Sequence, residues 1–322
     1  MFNWLGQQFG SYLLTALLGQ GAFADVYLGE HVYYGTQAAI KVPRSGSQDE
    51  REHFVKEMRT LAGLNHPHIV RVLEYGMEGD IPFLAMNYAR RGSLRQIYRE
   101  GMLFSLDTIV NYARQIADGL QYIHDRRLVH CDVKLGNILL GPRNTVWLSD
   151  FGIAIDIPWL SFLGKSQGGA GTVDYMSPEQ LQGKPCPASD QYALGVVVYK
   201  LLTGDTPFHG NDREIAEQHL YATPPHLRSR FLEITPAVEW AVRRALAKDP
   251  HMRFASVWEF ALALEQADRV PVVEIRPRSS VVNLPAVVPW KRGALDPSPL
   301  VLRNRSAIDL PVTNASRRRV AV

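Results

Sequence analysis

The segment "LVHCDVKLGNILL", residues 128–140, places Asp132, Lys134 and Asn137 in a short polar break between two apolar runs. A loop that only reverses the chain does not need an acid, a lysine and an amide at this spacing. An acid can accept a proton, a lysine can neutralise negative charge, and an amide oxygen can bind a hard cation. The segment therefore indicates chemistry on an anionic group, and the rest of the chain decides which chemistry.

Length and composition are those of an ordinary globular protein. The chain has 322 residues, of which 46% are hydrophobic and 21% charged, so it can bury a substantial core. The net charge of +3 does not favour a dedicated nucleic-acid binder. Two widely separated cysteines, Cys131 and Cys186, give neither a disulfide framework nor metal-binding spacing, which is typical of a reducing cytosol.

The sequence gives no sign of export or of a membrane span. The opening "MFNWLGQQFGSYLLTALLGQG" lacks the basic region and the continuous apolar core of a signal peptide. No run of about 18 consecutive apolar residues occurs, as a membrane-spanning helix would require. We therefore expect a soluble, cytoplasmic protein.

The first part of the chain is rich in short strands. Apolar runs such as "YLLTALLGQG", "ADVYLGEHV" and "QAAIKVP" are separated by Gly-containing turns, and "IVRVLEYGMEGDIPFLAM" predicts two strands around a Gly-Asp turn. One helix is predicted at about residues 48–64, because Phe54, Met58 and Leu61 recur at helical spacing.

The middle of the chain switches to helical periodicity. Ser105 is a plausible N-cap for a helix whose apolar stripe runs from Leu106 to Ile123, and residues 189–202 are apolar almost all round, which indicates a buried helix. Further amphipathic helices are predicted at residues 213–221, 236–247 and 256–267. The fold class is therefore α+β, with a small β-rich lobe, a larger helical lobe and a cleft between them.

The C-terminal segment, residues 269–322, differs in composition. It holds seven prolines and ten lysines or arginines against three acids, a net charge of +7 that leaves about −4 for the rest of the chain. We expect a Pro-rich basic tail that is disordered. The predicted division is residues 1–268 as one domain, with lobes at about 10–86 and 89–268, followed by the tail at 269–322.

Four further features belong with the opening segment, although each has an ordinary alternative. Gly19 and Gly21 lie between two strands, where backbone N–H groups can approach phosphate oxygens, but such a hairpin is more often only a turn. Lys41 in a strand and Glu57 on the following helix could form an ion pair, or each could be a surface charge. Asp150 follows an apolar strand and precedes Phe-Gly, so it is a candidate cation ligand or a turn residue.

The order of these features resembles the signature of protein kinases, and the similarity extends from about Tyr12 to Ala267. It continues with "GTVDYMSPE", "SDQYALG" and "DPHMRF". The segments "LNHPHIV" and "LLTGDTPF" are similar to those of bacterial Ser/Thr kinases of the eukaryotic (Hanks) type. The resemblance implies a bilobal protein-kinase-like fold that binds ATP and Mg²⁺, with Mn²⁺ as an alternative, and transfers the γ-phosphoryl group to protein Ser or Thr hydroxyls.

The resemblance also implies roles for individual residues. Asp132 would orient and deprotonate the acceptor hydroxyl, Lys134 would assist, and Asn137 with Asp150 would bind the metal. Lys41, held by Glu57, would bind the α- and β-phosphates. The remaining residues implied for ATP binding are Leu18, Gly19, Gln20, Gly21, Ala22, Val26, Ala39, Met86 at the gatekeeper position, Asn87, Tyr88 and Leu139.

A second group of residues would dock the protein substrate and support the site. Thr172 matches the Ser/Thr pattern, and Asp190 would hold the segment around Asp132. Glu179 and Arg253 would form a structural ion pair. In the stretch 153–170, which corresponds to the activation loop, Ser161 and Ser166 are candidate autophosphorylation sites, so self-association is expected. The histidines are interpreted as structural, and no nucleic-acid partner is expected.

Three positions depart from the family pattern. Ala24 replaces the third glycine of the Gly-rich loop, which at most weakens nucleotide binding, and Leu135 replaces a proline. Cys131 replaces an arginine that in the family grips a phosphorylated activation-loop residue, a bidentate charge-assisted contact that a thiol cannot make. The hypothesis is that activity depends little on phosphorylation of that loop.

Two other functions remain as alternatives. A pseudokinase that acts as a nucleotide-binding signalling scaffold would use the fold without transfer, but the chemical residues are intact. A kinase for a small metabolite is disfavoured by Thr172, "SPE" and Arg253.

Overall fold

The computed structural model describes residues 3–21, 24–44, 48–98, 103–151, 173–229 and 234–269. All of them belong to the first of two units into which the chain divides, Met1–Val273, and the second, Glu274–Val322, contains no described residue. The stretch 153–170 and the predicted tail, apart from its first residue Arg269, therefore lie outside the described residues.

A six-stranded antiparallel sheet forms the first lobe. Its strands are β1 (Gln8–Phe9), β2 (Tyr12–Gln20), β3 (Ala24–His31), β4 (Gln37–Pro43), β5 (Val72–Glu78) and β6 (Ile81–Asn87), in the order β1-β2-β3-β4-β6-β5. One face carries a small core that includes Tyr27, Ile40 and Phe83. The predicted turn at Gly79-Asp80 joins β5 to β6, and Gly79 has a φ of 55°, which an L side chain rarely adopts.

Helix α1 (Gln48–Ala62) covers the other face of this sheet. Phe54, Met58 and Leu61 are buried, as their spacing predicts, and they join the main core of the molecule. The helix ends two residues before the predicted position, because Gly63 and Leu64 turn back with hydrogen bonds to Thr60 and Leu61.

The second lobe is mainly helical. Within the described residues its helices are α2 (Leu94–Ile97), α3 (Leu106–His124), α4 (Pro178–Leu181), α5 (Pro187–Thr203), α6 (Asp212–Tyr221), α7 (Pro236–Ala245) and α8 (Val257–Asp268). Ser105 caps α3 as predicted, by accepting a hydrogen bond from the N–H of Thr108. Helix α5 is buried along nearly its whole length and packs against α3, α7 and α8.

The sequence pattern did not predict α2, α4 or the two-residue strand β1. Each is four residues long or shorter, so it spans too few positions for a period to be recognised. Helix α2 forms because Ser93 and Gln96 make a reciprocal capping box. The α+β bilobal prediction is confirmed, and none of the described helices is long and apolar enough to cross a bilayer.

A small two-stranded sheet connects the lobes. Its strands are β7 (Ile138–Leu140), which is the end of the quoted segment, and β8 (Val146–Leu148). The backbone N–H of Val70 donates to the carbonyl of Leu148 (2.9 Å), and the N–H of Leu148 donates to His68 (2.9 Å). These bonds fix the chain between α1 and β5 against β8.

Candidate active site

Lys41 joins the two lobes at the centre of the site. Its Nζ lies 2.7 Å from Oε1 of Glu57 on α1 and 2.8 Å from Oδ1 of Asp150, which follows β8. Lys41 lies on the face of the sheet that carries α1, because its strand neighbours Ile40 and Val42 face the small core on the opposite side. The ammonium group is therefore held at a fixed position between two carboxylates.

The electrostatics of this triad stabilise the charged forms. Burial alone would lower the pKa of Lys41, but the carboxylates of Asp150 and Glu57 outweigh burial and raise it. Burial opposes ionisation of Asp150, yet the positive charge of Lys41 holds the pKa of that carboxyl below its ordinary value. Lys41 is therefore an ammonium group and Asp150 a carboxylate at neutral pH.

The quoted segment forms a second cluster beside this triad. Oδ2 of Asp132 accepts hydrogen bonds from the side-chain amide of Asn137 (2.7 Å) and lies 2.8 Å from Nζ of Lys134. The same amide donates to the backbone carbonyl of Asp132 at 2.9 Å. Burial raises the pKa of Asp132, and the nearby charge of Lys134 opposes that change without cancelling it. Asp132 is thus a partly exposed carboxylate with an increased proton affinity.

Among the described residues, the hydrogen bonds of the Asn137 side chain use its amide nitrogen and not its amide oxygen. Both N–H directions of the amide are used by Asp132, and the backbone carbonyl of Asn137 accepts from the N–H of Ser149 at 2.9 Å. Asp150 uses one carboxylate oxygen for Lys41 and has a long contact of 3.4 Å from Ser149 Oγ to the other. Asn137 and Asp150 each carry a hard oxygen ligand of the kind that Mg²⁺ or Mn²⁺ prefers.

These two ligands do not make a complete metal site by themselves. The described residues contain no group of three or more His, Cys, Asp or Glu side chains that could hold a metal ion. Mg²⁺ is commonly bound by one or two protein ligands together with substrate phosphates and water. The donor set therefore fits a cation that binds together with a phosphate ligand.

The backbone just before Asp132 is held by hydrogen bonds to a buried carboxylate. Asp190, near the start of α5, accepts hydrogen bonds from the backbone N–H groups of His130 and Cys131, both at 2.9 Å. Its Oδ2 also lies 2.7 Å from Nε2 of His124 at the end of α3. Cys131 has a φ of 63°, a strained value for a residue with a side chain, and these bonds maintain it.

Cys131 itself lies between structural elements and away from any activating charge. Its carbonyl accepts a hydrogen bond from the side-chain amide of Gln180 on α4 at 2.7 Å. Burial raises the pKa of its thiol, and the carboxylates of Asp190 and Asp132 act in the same direction. Cys131 is therefore a protonated thiol at neutral pH.

The residues implied for adenine binding lie on paired strands of the first lobe and on the short strand β7. Val26 faces Lys41, Ala39 faces Met86, and Ala38 faces Asn87 in the strand register. Leu139 on β7 forms an antiparallel backbone bridge with Ser93, six residues after the end of β6. Leu18, Gly19 and Gln20 belong to β2, and Tyr88 directly follows β6.

Gly21 closes the turn between β2 and β3. Its N–H donates to the carbonyl of Ala24 at 2.8 Å, and a Cβ at Gly21 would lie only 2.9 Å from that carbonyl oxygen. Only glycine therefore fits this turn. Ala24 is buried as the first residue of β3, and Ala22 lies outside the described residues.

The ion pair expected from the sequence is present in the second lobe. Arg253 donates to both carboxylate oxygens of Glu179, at 2.7 and 2.8 Å, in a bidentate contact. The pKa of Glu179, which burial would raise, is lowered by this contact. Thr172, Ser161 and Ser166 lie outside the described residues.

The sequence reasoning missed several residues of the site. His130 is fully buried, its ring lies 4.5 Å from that of Phe151 and its Nδ1 accepts from the N–H of Asp132 at 3.3 Å. His124 and Gln180 were also not singled out. The position of His130 directly before Cys131 in the quoted segment is the one signal that could have drawn attention to it.

The fold and the site together define a protein kinase core: a strand lysine paired with a helix glutamate, a carboxylate after β8, and an Asp-Lys-Asn loop. The family model for the protein kinase domain matches residues 12–265. The chain therefore belongs to the protein kinase family, and its relatives place it with the bacterial Hanks-type members.

Three relatives illustrate the similarity. The serine/threonine-protein kinase PknF of Mycobacterium tuberculosis is 36% identical over 274 residues, which cover 80% of this chain and 56% of PknF. PrkC of Bacillus subtilis is 32% identical over 80% of this chain and 40% of PrkC. PknL of Mycobacterium tuberculosis is 34% identical over 86% of this chain and 71% of PknL. The chain thus spans about half the length of PknF and less of PrkC.

Proposed function

We propose that this protein is an ATP-dependent serine/threonine protein kinase in bacterial signalling. The observation that carries the proposal is the position of Lys41, whose ammonium group lies within 2.8 Å of both Glu57 and Asp150. A lysine so fixed presents a permanent positive charge to phosphate oxygens and needs no rearrangement to do so. The related kinases PknF and PrkC support the same reaction class.

Asp132 is the proposed proton acceptor in this reaction. Its carboxylate accepts the proton of the Ser or Thr hydroxyl while the new O–P bond forms and the bond from the γ-phosphorus to the ADP oxygen breaks. Asn137 orients the carboxylate, and Lys134, 2.8 Å from it, offsets negative charge near the transferred group. The increased proton affinity of Asp132 suits this role.

Asn137 and Asp150 are the proposed metal ligands. A Mg²⁺ ion held by these two side chains would neutralise negative charge on the ATP phosphates, and Mn²⁺ would satisfy the same oxygen ligands. Leu18, Gly19, Gln20, Gly21 and Ala22 would cover the phosphates, and Val26, Ala39 and Leu139 would enclose the adenine. Met86, Asn87 and Tyr88 would border its edge at the connection between the lobes.

Protein Ser/Thr side chains are the proposed acceptors. Lys134 and Thr172 match the Ser/Thr pattern, and the Glu179–Arg253 ion pair supports the segment that would dock a peptide. The same features weigh against a small-metabolite kinase. A pseudokinase role is not favoured, because the transfer residues are intact and in contact.

The cellular setting is part of the proposal. We propose a cytoplasmic kinase domain at residues 1–268, with self-association that allows autophosphorylation at Ser161 or Ser166, and without a nucleic-acid partner. The two-cysteine composition supports a reducing compartment. Relatives such as PrkC, of which the chain covers 40%, carry a large additional part.

The test is phosphate incorporation from labelled ATP with Mg²⁺, into the protein itself and into a Ser/Thr peptide library. We expect transfer by the wild-type chain and loss of at least about 100-fold in Asp132→Ala, as removal of a catalytic base typically costs. Equal incorporation by both proteins would exclude this mechanism. Asp125→Asn, a change at an exposed carboxylate next to α3, is the control.

A further inference from the structure

The segment that follows Thr172 is held in place by helix α6. Residues Val173–Tyr175 form one turn of 3-10 helix, and α6 packs directly against them. Met176 and Leu181 form a small apolar cluster with Ala216 of α6, and Val173 and Leu220 pack at its border. This segment would form part of the surface that binds an acceptor peptide, since it directly follows Thr172, the residue implied for substrate docking.

His219 of α6 makes the polar connection to this segment. Its Nε2 lies 3.0 Å from the backbone carbonyl of Asp174, and its Nδ1 lies 2.9 Å from the hydroxyl of Tyr192 on α5. A carbonyl oxygen can only accept, so Nε2 carries the proton and Nδ1 accepts the Tyr192 hydroxyl. The imidazole is fully buried and thus has one proton arrangement that satisfies both partners.

Burial, together with one neighbouring positive charge, keeps this imidazole neutral. Burial, assisted by the positive charge of Lys248, lowers the pKa of His219 to about 3. Nζ of Lys248 donates to the carbonyls of Gln218 (3.1 Å) and His219 (2.7 Å), near the end of α6. His219 is therefore a fixed donor to the docking segment at every physiological pH, and the other end of the connection is the buried ring of Tyr192.

We infer that His219 is a positioning residue for the acceptor protein. Its hydrogen bond fixes the position of the backbone at Asp174, and this position determines the affinity for the acceptor peptide. The inference rests on the proposed kinase function. His219 has no contact with Lys41, Asp132 or Asp150 among the described residues, so it acts on peptide binding through Asp174 and leaves the phosphoryl-transfer residues unchanged.

The experiment compares His219→Met, which removes both hydrogen bonds, with His219→Gln, which keeps an N–H donor. The probe is the best acceptor peptide selected with the wild-type chain from a Ser/Thr peptide library. We expect His219→Met to raise the KM for this peptide about fivefold or more, as loss of the buried hydrogen bond to Asp174 predicts. The KM for ATP, and kcat at saturating peptide, stay within about twofold of wild type, and His219→Gln restores most of the peptide KM.

Gln191→Leu provides the matched structural control. Gln191 is buried on α5 beside Tyr192, and its amide exchanges two hydrogen bonds with the backbone of Phe254, at 3.1 and 3.0 Å. Its replacement removes a comparable pair of bonds without touching Asp174, so we expect a lower melting temperature with an unchanged peptide KM. Tyr192→Phe, which keeps the ring and removes the hydroxyl, tests the same connection if His219→Met does not fold. We expect it to raise the peptide KM about twofold.

The outcomes separate the two proposals. A wild-type chain that transfers no phosphate to itself or to any peptide overturns the proposed function, and the role of His219 with it. An active wild type whose His219→Met variant keeps its peptide KM, or loses peptide and ATP affinity equally, overturns the role of His219 alone. The same holds if Gln191→Leu raises the peptide KM as much as His219→Met.

Discussion

The ammonium group of Lys41 lies 2.8 Å from a carboxylate oxygen of Asp150, although the two residues are 109 positions apart in the chain. This contact joins a strand of the first lobe to the loop after β8 in the second. It fixes the separation of the lobes at the point where a nucleotide would bind, because neither charge can leave the other without solvent or a ligand to replace it.

Replacement of Lys41 by Met should abolish phosphoryl transfer. The change leaves the carboxylates of Glu57 and Asp150 facing a neutral side chain, so the site repels phosphate instead of attracting it. We expect a loss of at least about 100-fold in transfer from labelled ATP. Lys184→Met, at an exposed position, is the control, and activity within tenfold of wild type in Lys41→Met would contradict the proposal.

Asp190→Asn should weaken both the fold and the activity. Asp190 accepts three hydrogen bonds, from His124, His130 and Cys131, and an amide offers only one oxygen in place of two. Each bond to a charged acceptor contributes about 1.5–3 kcal/mol, so we expect a loss of about 2–4 kcal/mol in the free energy of unfolding. Urea titration measures this value. A variant as stable and as active as Asp125→Asn would show that Asp190 does not support the Asp132 loop.

Phosphatase treatment should change the activity of the wild-type protein by less than about twofold. Cys131 cannot form the bidentate contact that an arginine makes with a phosphate group, so phosphorylation has no partner at this position. Cys131→Ser should also remain active, because the thiol is protonated and its backbone makes the contacts that hold the loop. Loss of nearly all activity after dephosphorylation would rule out the hypothesis.

The Glu179–Arg253 pair should respond asymmetrically to mutation. Besides the two bonds to Glu179, Arg253 donates to the carbonyls of Ala247, Ala188 and Lys248. Arg253→Met removes the bidentate partner of the buried Glu179 carboxylate, which retains the hydrogen bond from the Ser189 hydroxyl, and it also removes the arginine donor to three backbone carbonyls. We expect a loss of about 3–5 kcal/mol in stability. Glu179→Gln retains an oxygen for the arginine and should cost less. Equal losses in urea unfolding would show that the backbone contacts of Arg253 contribute little.

The stability of the protein should fall in mild acid partly through His219. Its pKa is about 3 in the folded protein and 6.5 for an unperturbed histidine, so between these values the unfolded chain binds the additional proton. The stabilisation is complete above pH 6.5 and is lost as the pH falls toward 3. At ~1.4 kcal/mol per pH unit, about 2 kcal/mol should disappear between pH 6.5 and pH 5. His219→Gln should lack this part of the decline, and parallel pH profiles for the two proteins would contradict the assignment.

Much of the fold follows from local patterns in the sequence. Helix α3 was predicted from Ser105 and the stripe that ends at Ile123, and both are present because capping and a 3.6-residue period depend on neighbouring positions only. The buried character of α5 was equally clear from its composition. The short elements α2 and α4 were missed because four residues cannot display a period.

The sequence by itself determined the chemical inventory of the site: an acid, a lysine and an amide in one loop, a strand lysine, a helix glutamate and an acid before Phe-Gly. Residue type and order along the chain are sufficient for that inventory, since they do not depend on distance. Only the tertiary structure decided that Lys41 contacts Glu57 and Asp150 at once, that Asp190 holds the backbone of Cys131, and that His219 connects Tyr192 to Asp174. These contacts join residues far apart in sequence, and they arise because the buried helix α5 and the backbone bonds of β8 bring separate elements together in a core from which water is excluded.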